Sequence, residues 1–318
     1  MTSGSASMTP DSDGLARFDQ AMVGVEMAGG ILTDHPIGPM TTYRVGGSAA
    51  RFVRPVDRSE LEAVAVGVAS AGIPALVVGR GSNLLVADAG FRGLVMQLGQ
   101  GFEKVRTEGN RVMAGAAVSL PVLARRTVAE SLTGFEWAVG VPGSLGGAVR
   151  MNAGGHGSDM ASSLVSADTV DLTTGEGRCR TLADLSLGYR SSSIDKSEVV
   201  VEATIALTVG DTASGEERLA EIVRWRRENQ PGGQNAGSVF TNPVGDSAGR
   251  LIDEAGLKGW RFGSASVSER HANFIQVDEG GSADDVVALM DVVARRVDEV
   301  HGIRLEPETV IVGFTGRS

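Results

Sequence analysis

Three polar segments of this chain carry side chains able to do chemistry. Ser238 lies in QNAGSVFTNP (234–243), between a glycine and the apolar pair Val239-Phe240. Its hydroxyl suits a nucleophile, a proton donor, or a turn residue bonded to its own backbone. This segment lacks the Gly-x-Ser-x-Gly elbow, and no His-Asp pair is placed to complete a triad, which disfavours the nucleophile. Arg190, in LGYRSSSI (187–194), is permanently charged. It can hold a carboxylate through two hydrogen bonds or join a surface ion pair. In LEPE (305–308), Pro307 sets Glu306 and Glu308 on an extended run whose alternate residues share a face. One of the two acids can be desolvated enough to bind its proton tightly. The pair also suits an ordinary charged strand entry.

Two glycine-rich segments offer backbone instead of side chains. In VVGRGSNLLV (77–86) a buried strand ends in Gly79-Arg80-Gly81-Ser82-Asn83. Consecutive amides in such a turn form an anion-binding nest, and Arg80, Ser82 and Asn83 add donors. The segment lacks the Gly-Lys-Ser/Thr ending of a P-loop. Leu84 stands at the third glycine position of the dinucleotide fingerprint, and no helix is predicted to follow. A tight turn and a ligand loop both remain open. In AVGVPGSLGGAVRMNAGGHG (138–157), Pro142 fixes one turn, Gly146-Gly147 permits close backbone approach, and Asn152-Ala153-Gly154 makes another bend. Two such loops on neighbouring strands suit the two sides of one extended, phosphate-bearing cofactor. His156 reads as a polar loop residue in preference to a ligand.

The elements that must position these groups follow from periodicity. A short strand is expected around Gly46-Gly47. Asp57 with Glu60 resembles a capping box opening a helix that stops near Gly72. ALVVG (75–79) then completes a β-α-β unit across 49–79. FRGLVMQL and RVMAGAAV are further strands, Ser119 opens a helix through Leu132, and 164–210 holds short strands separated by turns. That order does not fit a regular alternating parallel sheet. DTASGEER (211–218) reads as a linker into a charged helix and a last α/β unit. There Ser282 and Asp285 cap a helix whose Val286, Met290, Val293, Val297 and Val300 follow helical spacing. RLEPETVIVG supplies a closing strand.

Composition narrows the class. The chain has 318 residues, enough for more than one domain, and 42% apolar residues, as expected of a soluble globular protein. Its 44 glycines are well above the usual rate of about 7%. A formal charge of −10 argues against general affinity for nucleic acid or acidic membranes. With Cys179 alone and four histidines, neither an internal disulfide nor a metal site is expected. The start, MTSGSASMTPDSDG, lacks a signal peptide's basic and apolar regions, so residues 1–20 read as a flexible tail. No apolar run reaches the roughly 18 residues of a membrane span. A cytoplasmic protein is expected.

Taken together, these segments resemble the UDP-N-acetylenolpyruvoylglucosamine reductases, the MurB family of peptidoglycan synthesis. The resemblance covers about Thr41 to Gly313 and rests on GRGSNLLV, GVPGSLGGAVRMNAGGHG, GYRSSSI, GSVFTNP, AGRLIDEAGLKGWRFG, SERHANFI and LEPE in order. It implies an α+β fold: an FAD-binding fold of the vanillyl-alcohol-oxidase/PCMH type in two subdomains, then a smaller α/β substrate-binding domain. Residues 21–210 would form the FAD region, with a break near 80–100, and 211–318 the substrate domain.

By the same resemblance, Gly79, Arg80, Gly81, Ser82, Asn83 and Leu84 hold FAD. So do Gly140, Pro142, Gly143, Gly146, Gly147, Asn152, Ala153 and Gly154, with Tyr43 and Gly47 alongside. Ser238, Arg190 and Glu308 are the catalytic residues, while Tyr189, Asn242 and His271 contact substrate. NADPH is the reductant, and the substrate is a UDP-linked amino sugar carrying an enolpyruvyl ether. Hydride reaches its terminal vinyl carbon, Arg190 and protonated Glu308 stabilise the resulting enolate, and Ser238 donates the proton. A monomer is expected. The short segment between Arg190 and Ser238 lacks the insertion bearing a substrate-gripping tyrosine, so the chain resembles the family's shorter branch. Ser264 replaces a customary second glycine, and the Gly232-Gly233 approach also departs from that branch. Another FAD oxidase or dehydrogenase of this fold, or a non-redox nucleotide-sugar-binding protein, is the alternative.

Overall fold

The computed structural model describes residues 12–314. Residues 1–11 of the expected tail lie outside that range; the rest of it is helix α1 (Ser12–Ala21). Phe18 and Met22 are buried against α2 (Arg58–Ala71), where Gly67 leaves room for them. Burying two large apolar side chains is enough to fix a short helix onto a neighbour.

The expected β-α-β unit is present as Ser48–Val53, α2 and Ala75–Val77. Asp57 caps α2 by accepting the Glu60 N–H at 2.9 Å, and Gly72 ends it at φ +65°. The capping box stays open, because the Glu60 carboxylate accepts from Val56 and Ala28 instead. The first sheet has the order Ile31–Pro36, Ser48–Val53, Phe91–Met96, Ala75–Val77. Its first pair is antiparallel and the other two are parallel.

A second, wholly antiparallel sheet runs Gly177–Thr181, Leu164–Asp171, Glu198–Ala206, Arg111–Gly115, Val105–Glu108. Three helices attach to it: α3 (Leu120–Ala129), α4 (Leu145–Arg150) and α5 (Leu182–Leu185). Helix α3 stops short of Leu132, which pairs as a strand with Val209. The segment 212–218 is no linker. It is the first part of α6 (Thr212–Asn229), capped by Asp211, whose carboxylate accepts the Ser214 N–H at 2.8 Å. Leu219 and Ile222 of α6 enter the same core as Trp137 and Leu123, so α6 belongs to the second sheet's unit.

The last unit packs α7 (Ala248–Glu254) and α8 (Ala283–His301) against the strands Arg261–Phe262, Ala265–Val267 and Ile275–Val277. Val286, Met290, Val293 and Val297 are buried as the spacing predicts, whereas Val300 is 44% exposed. The chain then returns to the first unit. Val310–Val312 pairs in parallel with Leu84–Val86, the strand directly after the Gly79–Asn83 turn.

Candidate active site

Two loops face each other across the gap between the two sheets. Among the described residues, the backbone N–H groups of Gly79, Arg80, Gly81, Ser82 and Asn83 have no hydrogen-bond acceptor; nor do those of Gly143 and Ser144. Buried or half-buried amides are almost always paired, so this cluster lacks a partner of the opposite sign. The loops nearly touch: a Cβ on Gly79 would lie 2.2 Å from Ser144 Oγ, and one on Gly143 3.7 Å from Ser82 Oγ. Ser144 caps α4 by accepting the Gly147 N–H. Beyond the loops opens a cleft of about 540 Å³, lined by the apolar Val78, Leu98, Ala117 and Val199, by Gly146 and Gly147, and by the polar Arg54, Gln97, Arg150 and Glu198. A cleft part apolar and part polar, leading to a cradle of free amides, fits the rings and pyrophosphate of an FAD.

The cradle is tied to an acid. Asn83 Nδ2 donates to the Glu308 carbonyl at 3.0 Å, and Val310 N donates to Asn83 O at 3.0 Å. The Glu308 carboxylate meets Arg190, whose Nε donates to Oε1 at 2.7 Å while an Nη donates to Gly154 O at 3.1 Å. Only 14% of the Glu308 side chain and 26% of Arg190 is exposed. Burial pushes the Glu308 carboxyl up, and the attraction of Arg190 opposes this without cancelling it. Arg190 sits in the Tyr189-Arg190 turn between the mutually bonded Gly188 and Ser191, at φ +53°. This conformation costs a non-glycine residue roughly 1–3 kcal/mol. Its surroundings hold it: Asn152 Nδ2 donates to Gly188 O at 2.8 Å, and the guanidinium lies 5.4 Å from the exposed Tyr189 ring.

Ser238 arrives on the neighbouring run. Glu308 N donates to Val239 O at 2.7 Å, and Phe240 bridges Pro307. The serine is half-buried, and its Oγ has no hydrogen-bond partner among the described residues. Serine, arginine and glutamate, distant in sequence, are thus brought to one place beside the amide cradle.

Several expected site residues have other work. Tyr43 is wholly buried among Ala236, Val239 and Phe240 in the last unit's core, so its ring cannot line a cofactor site; burial pushes its phenol up. Leu84 is buried in its strand. A Cβ on Gly47 would strike Asp88 O at 2.4 Å, which explains that glycine by packing alone. Asn152 is buried, its Oδ1 accepting from Ala161 N and its Nδ2 donating to Asp159 and Gly188. It supports the arginine turn in place of a cofactor. Gly140 packs on the His156 ring, Pro142 is exposed, and Ala153 is bonded to Ala148 and Met160 through its backbone. Glu306 and Glu308 do not share an environment: 72% of the Glu306 side chain is exposed, beside Arg304.

Asn242 Oδ1 accepts the Ala248 N–H at the start of α7, leaving its amide nitrogen open. His271 is half-buried against Phe274, and its Nδ1 accepts from Asn273 N, so its proton sits on Nε2. Burial pulls the His271 pKa down. Two positioning residues escaped sequence reasoning. Asn273, buried, receives Phe240 N on Oδ1 at 3.0 Å and donates Nδ2 to Phe240 O at 2.8 Å, while its carbonyl accepts Val239 N at 2.9 Å. Gln97 donates to Gly79 O at 2.8 Å. The only signal for Asn273 was an amide amid apolar neighbours in HANFI.

The chain is similar to several known proteins. Residues 229–312 match the family model described as the UDP-N-acetylenolpyruvoylglucosamine reductase C-terminal domain, and residues 49–182 that of an FAD binding domain. The UDP-N-acetylenolpyruvoylglucosamine reductase of Heliobacterium modesticaldum is 43% identical over 90% of this chain and 91% of its own length. That of Bacillus subtilis is 38% identical over 90% and 95%. The crystal structure of UDP-N-acetylenolpyruvylglucosamine reductase (MurB) from Thermus caldophilus superposes with a TM-score of 0.76 at 34% identity, covering 89% of this chain and 98% of that one. The glucose dehydrogenase Phl p 4.0202 shares the fold alone, with a TM-score of 0.50 at 12% identity over 67% of this chain and 50% of its own.

Proposed function

The chain belongs to the UDP-N-acetylenolpyruvoylglucosamine reductase family, and from that premise we propose the reaction and the part each residue takes in it. The enzyme reduces the enolpyruvyl ether of UDP-N-acetylglucosamine enolpyruvate to UDP-N-acetylmuramate. The chemistry that bound FAD supplies is hydride transfer, with NADPH as the source and the terminal vinyl carbon of the substrate as the destination. Gly79 to Asn83, with Gly143 and Ser144, would hold its pyrophosphate on their free amides, and the cleft between the sheets would take its ring systems.

The observation that carries this reading is the Arg190–Glu308 pair, held beside the cradle by Asn83 and next to the Ser238 run. As the vinyl carbon gains hydride, negative charge develops on the pyruvyl carboxylate. Arg190 stabilises it as a fixed cation, and Glu308, inclined by burial to keep its proton, stabilises it as a donor. Ser238 Oγ then gives its proton to the other carbon. A free alkyl hydroxyl is a poor acid, so the basicity of the enolate and close placement drive the step. Asn273, clamping Phe240, holds the backbone that carries Ser238. Asn242 and His271 bind the sugar nucleotide from the last unit, and Tyr189 borders its entrance. The product is a peptidoglycan precursor, which supports a cytoplasmic enzyme of cell-wall synthesis.

Two measurements test this. The purified protein should show flavin absorbance and turn over the substrate with NADPH. Ser238→Ala should still be bleached by NADPH, while its reoxidation by substrate slows at least about 100-fold. Equal loss in both half-reactions would remove Ser238 as the proton donor.

A further inference from the structure

Beside the cofactor cleft lies a second opening of about 820 Å³, into which Arg44, Arg54 and Arg80 all converge with Gln97 and Gln234. Arg54, Arg80 and Gln97 also line the cofactor cleft, so the two spaces adjoin. The three arginines are exposed, and among the described residues none has a carboxylate partner. In a chain of net charge −10, three unpaired guanidiniums around one opening leave a local excess of positive charge that an anionic ligand would relieve.

The opening is built rather than incidental. Arg44 is held at φ +57°, where its N–H donates to Thr41 Oγ1 at 3.1 Å and that hydroxyl donates on to Gly38 O at 2.8 Å. Arg54 donates to Gln97 Oε1 at 2.5 Å, and Gln97 donates to Gly79 O in the amide cradle. Gln234 also lines this opening, but its Oε1 is turned away into the protein, buried and without a hydrogen-bond partner among the described residues. Three guanidiniums around one opening suit a ligand bearing phosphate oxygens.

We infer that Arg44, Arg54 and Arg80 form a subsite for the phosphates of an exchanging nucleotide. The free amides of the cradle already answer the pyrophosphate of FAD, so this subsite serves the reactants that come and go. Both have the required chemistry: NADPH and the UDP-sugar each carry a diphosphate next to ribose. The inference rests on the reaction proposed above for the identity of these ligands, but not for the anion site itself.

The test uses FAD-loaded enzyme and the variants Arg44→Gln, Arg54→Gln and their combination, with the FAD content of each measured because Arg54 also borders the cofactor cleft. Inorganic pyrophosphate is titrated calorimetrically into each. Wild type should bind it, the double variant about tenfold or more weakly, and Arg44→Lys close to wild type. The two half-reactions then assign the source. A tenfold rise in the NADPH concentration for half-maximal bleaching marks the pyridine nucleotide, and a matching rise in the reoxidation half marks the UDP-sugar. Unchanged pyrophosphate binding overturns the subsite, as does a loss of FAD content with both half-reactions otherwise unaltered. Should wild type fail to reduce the enolpyruvyl ether, the proposed reaction falls, while the pyrophosphate titration still decides the subsite.

Discussion

At Glu308 two opposing effects act on one carboxyl. Loss of water raises its pKa, Arg190 lowers it, and the loss of water prevails. The folded protein therefore holds this proton more tightly than the unfolded chain does. Glu308 favours the fold most at pH below the ordinary carboxyl range, and that contribution is lost as pH rises through its raised pKa. The catalytic consequence has the same sign: substrate-driven reoxidation should slow as pH rises and Glu308 loses its proton. Glu308→Gln, which keeps a neutral donor, should flatten that limb of the pH profile while Glu308→Ala lowers the rate throughout. A limb unchanged in Glu308→Gln would assign the titration to another group. Ser238 is the contrasting residue, since its unpartnered hydroxyl has neither a base to activate it nor a neighbour to occupy it. That suits a donor and not a nucleophile.

At the scale of elements, the cofactor cradle depends on two loops approaching more closely than side chains normally allow. Gly79 stands where any Cβ would press on Ser144 Oγ, and Ser144 is also the cap of α4. Gly79→Ala should therefore force the loops apart and lower the FAD content of the purified protein, read from the ratio of visible to ultraviolet absorbance. Adding Ser144→Ala removes the obstructing oxygen and should restore part of the flavin. If Gly79→Ala retains full flavin, the close approach has no bearing on cofactor binding. Helix α4 went unread in the sequence because Leu145-Gly146-Gly147 has the composition of a turn. Only the Ser144 cap and the packing of Leu145 and Val149 into the second core make it helical. The opposite error occurred at 211–218, where Thr, Ser and Gly read as a linker. There Asp211 caps the helix, and Leu219 and Ile222 anchor its following turns.

For the whole molecule, the site exists only if the last unit is held against the first. The parallel pairing of Leu84–Val86 with Val310–Val312 does part of this. Asp88 does another part: its carboxylate accepts from Ser282 Oγ at 2.6 Å and from the Ala283 and Asp284 N–H groups, capping α8 from the other unit. A carboxylate at a helix N-terminus meets both unpaired amides and the positive end of the dipole. Asp88→Ala should cost about 1 kcal/mol or more in denaturant unfolding. It should also raise the substrate concentration needed for reoxidation while leaving bleaching by NADPH less affected. Unfolding at the wild-type denaturant midpoint would show that the cap is not needed to hold the units together.

Sequence alone determined the local elements and the chemical inventory. Asp57 and Gly72 bounded a helix because caps act over three or four residues, and the short strands expected within 164–210 are present as Leu164–Asp171 and Glu198–Ala206. The ordered segments GRGSNLLV, GYRSSSI, GSVFTNP and LEPE pointed to the reductase family and to Ser238, Arg190 and Glu308. Tertiary structure decided what those residues meet. Tyr43 in one segment is buried by a core built some 200 residues later, Glu306 is left in water while Glu308 two residues on is withdrawn from it, Asn273 clamps Phe240 from elsewhere in the last unit, and Asp88 acts across units. None of these follows from spacing along the chain. Burial and hydrogen bonding depend on which distant surfaces come together, and that is set by the packing of the whole fold.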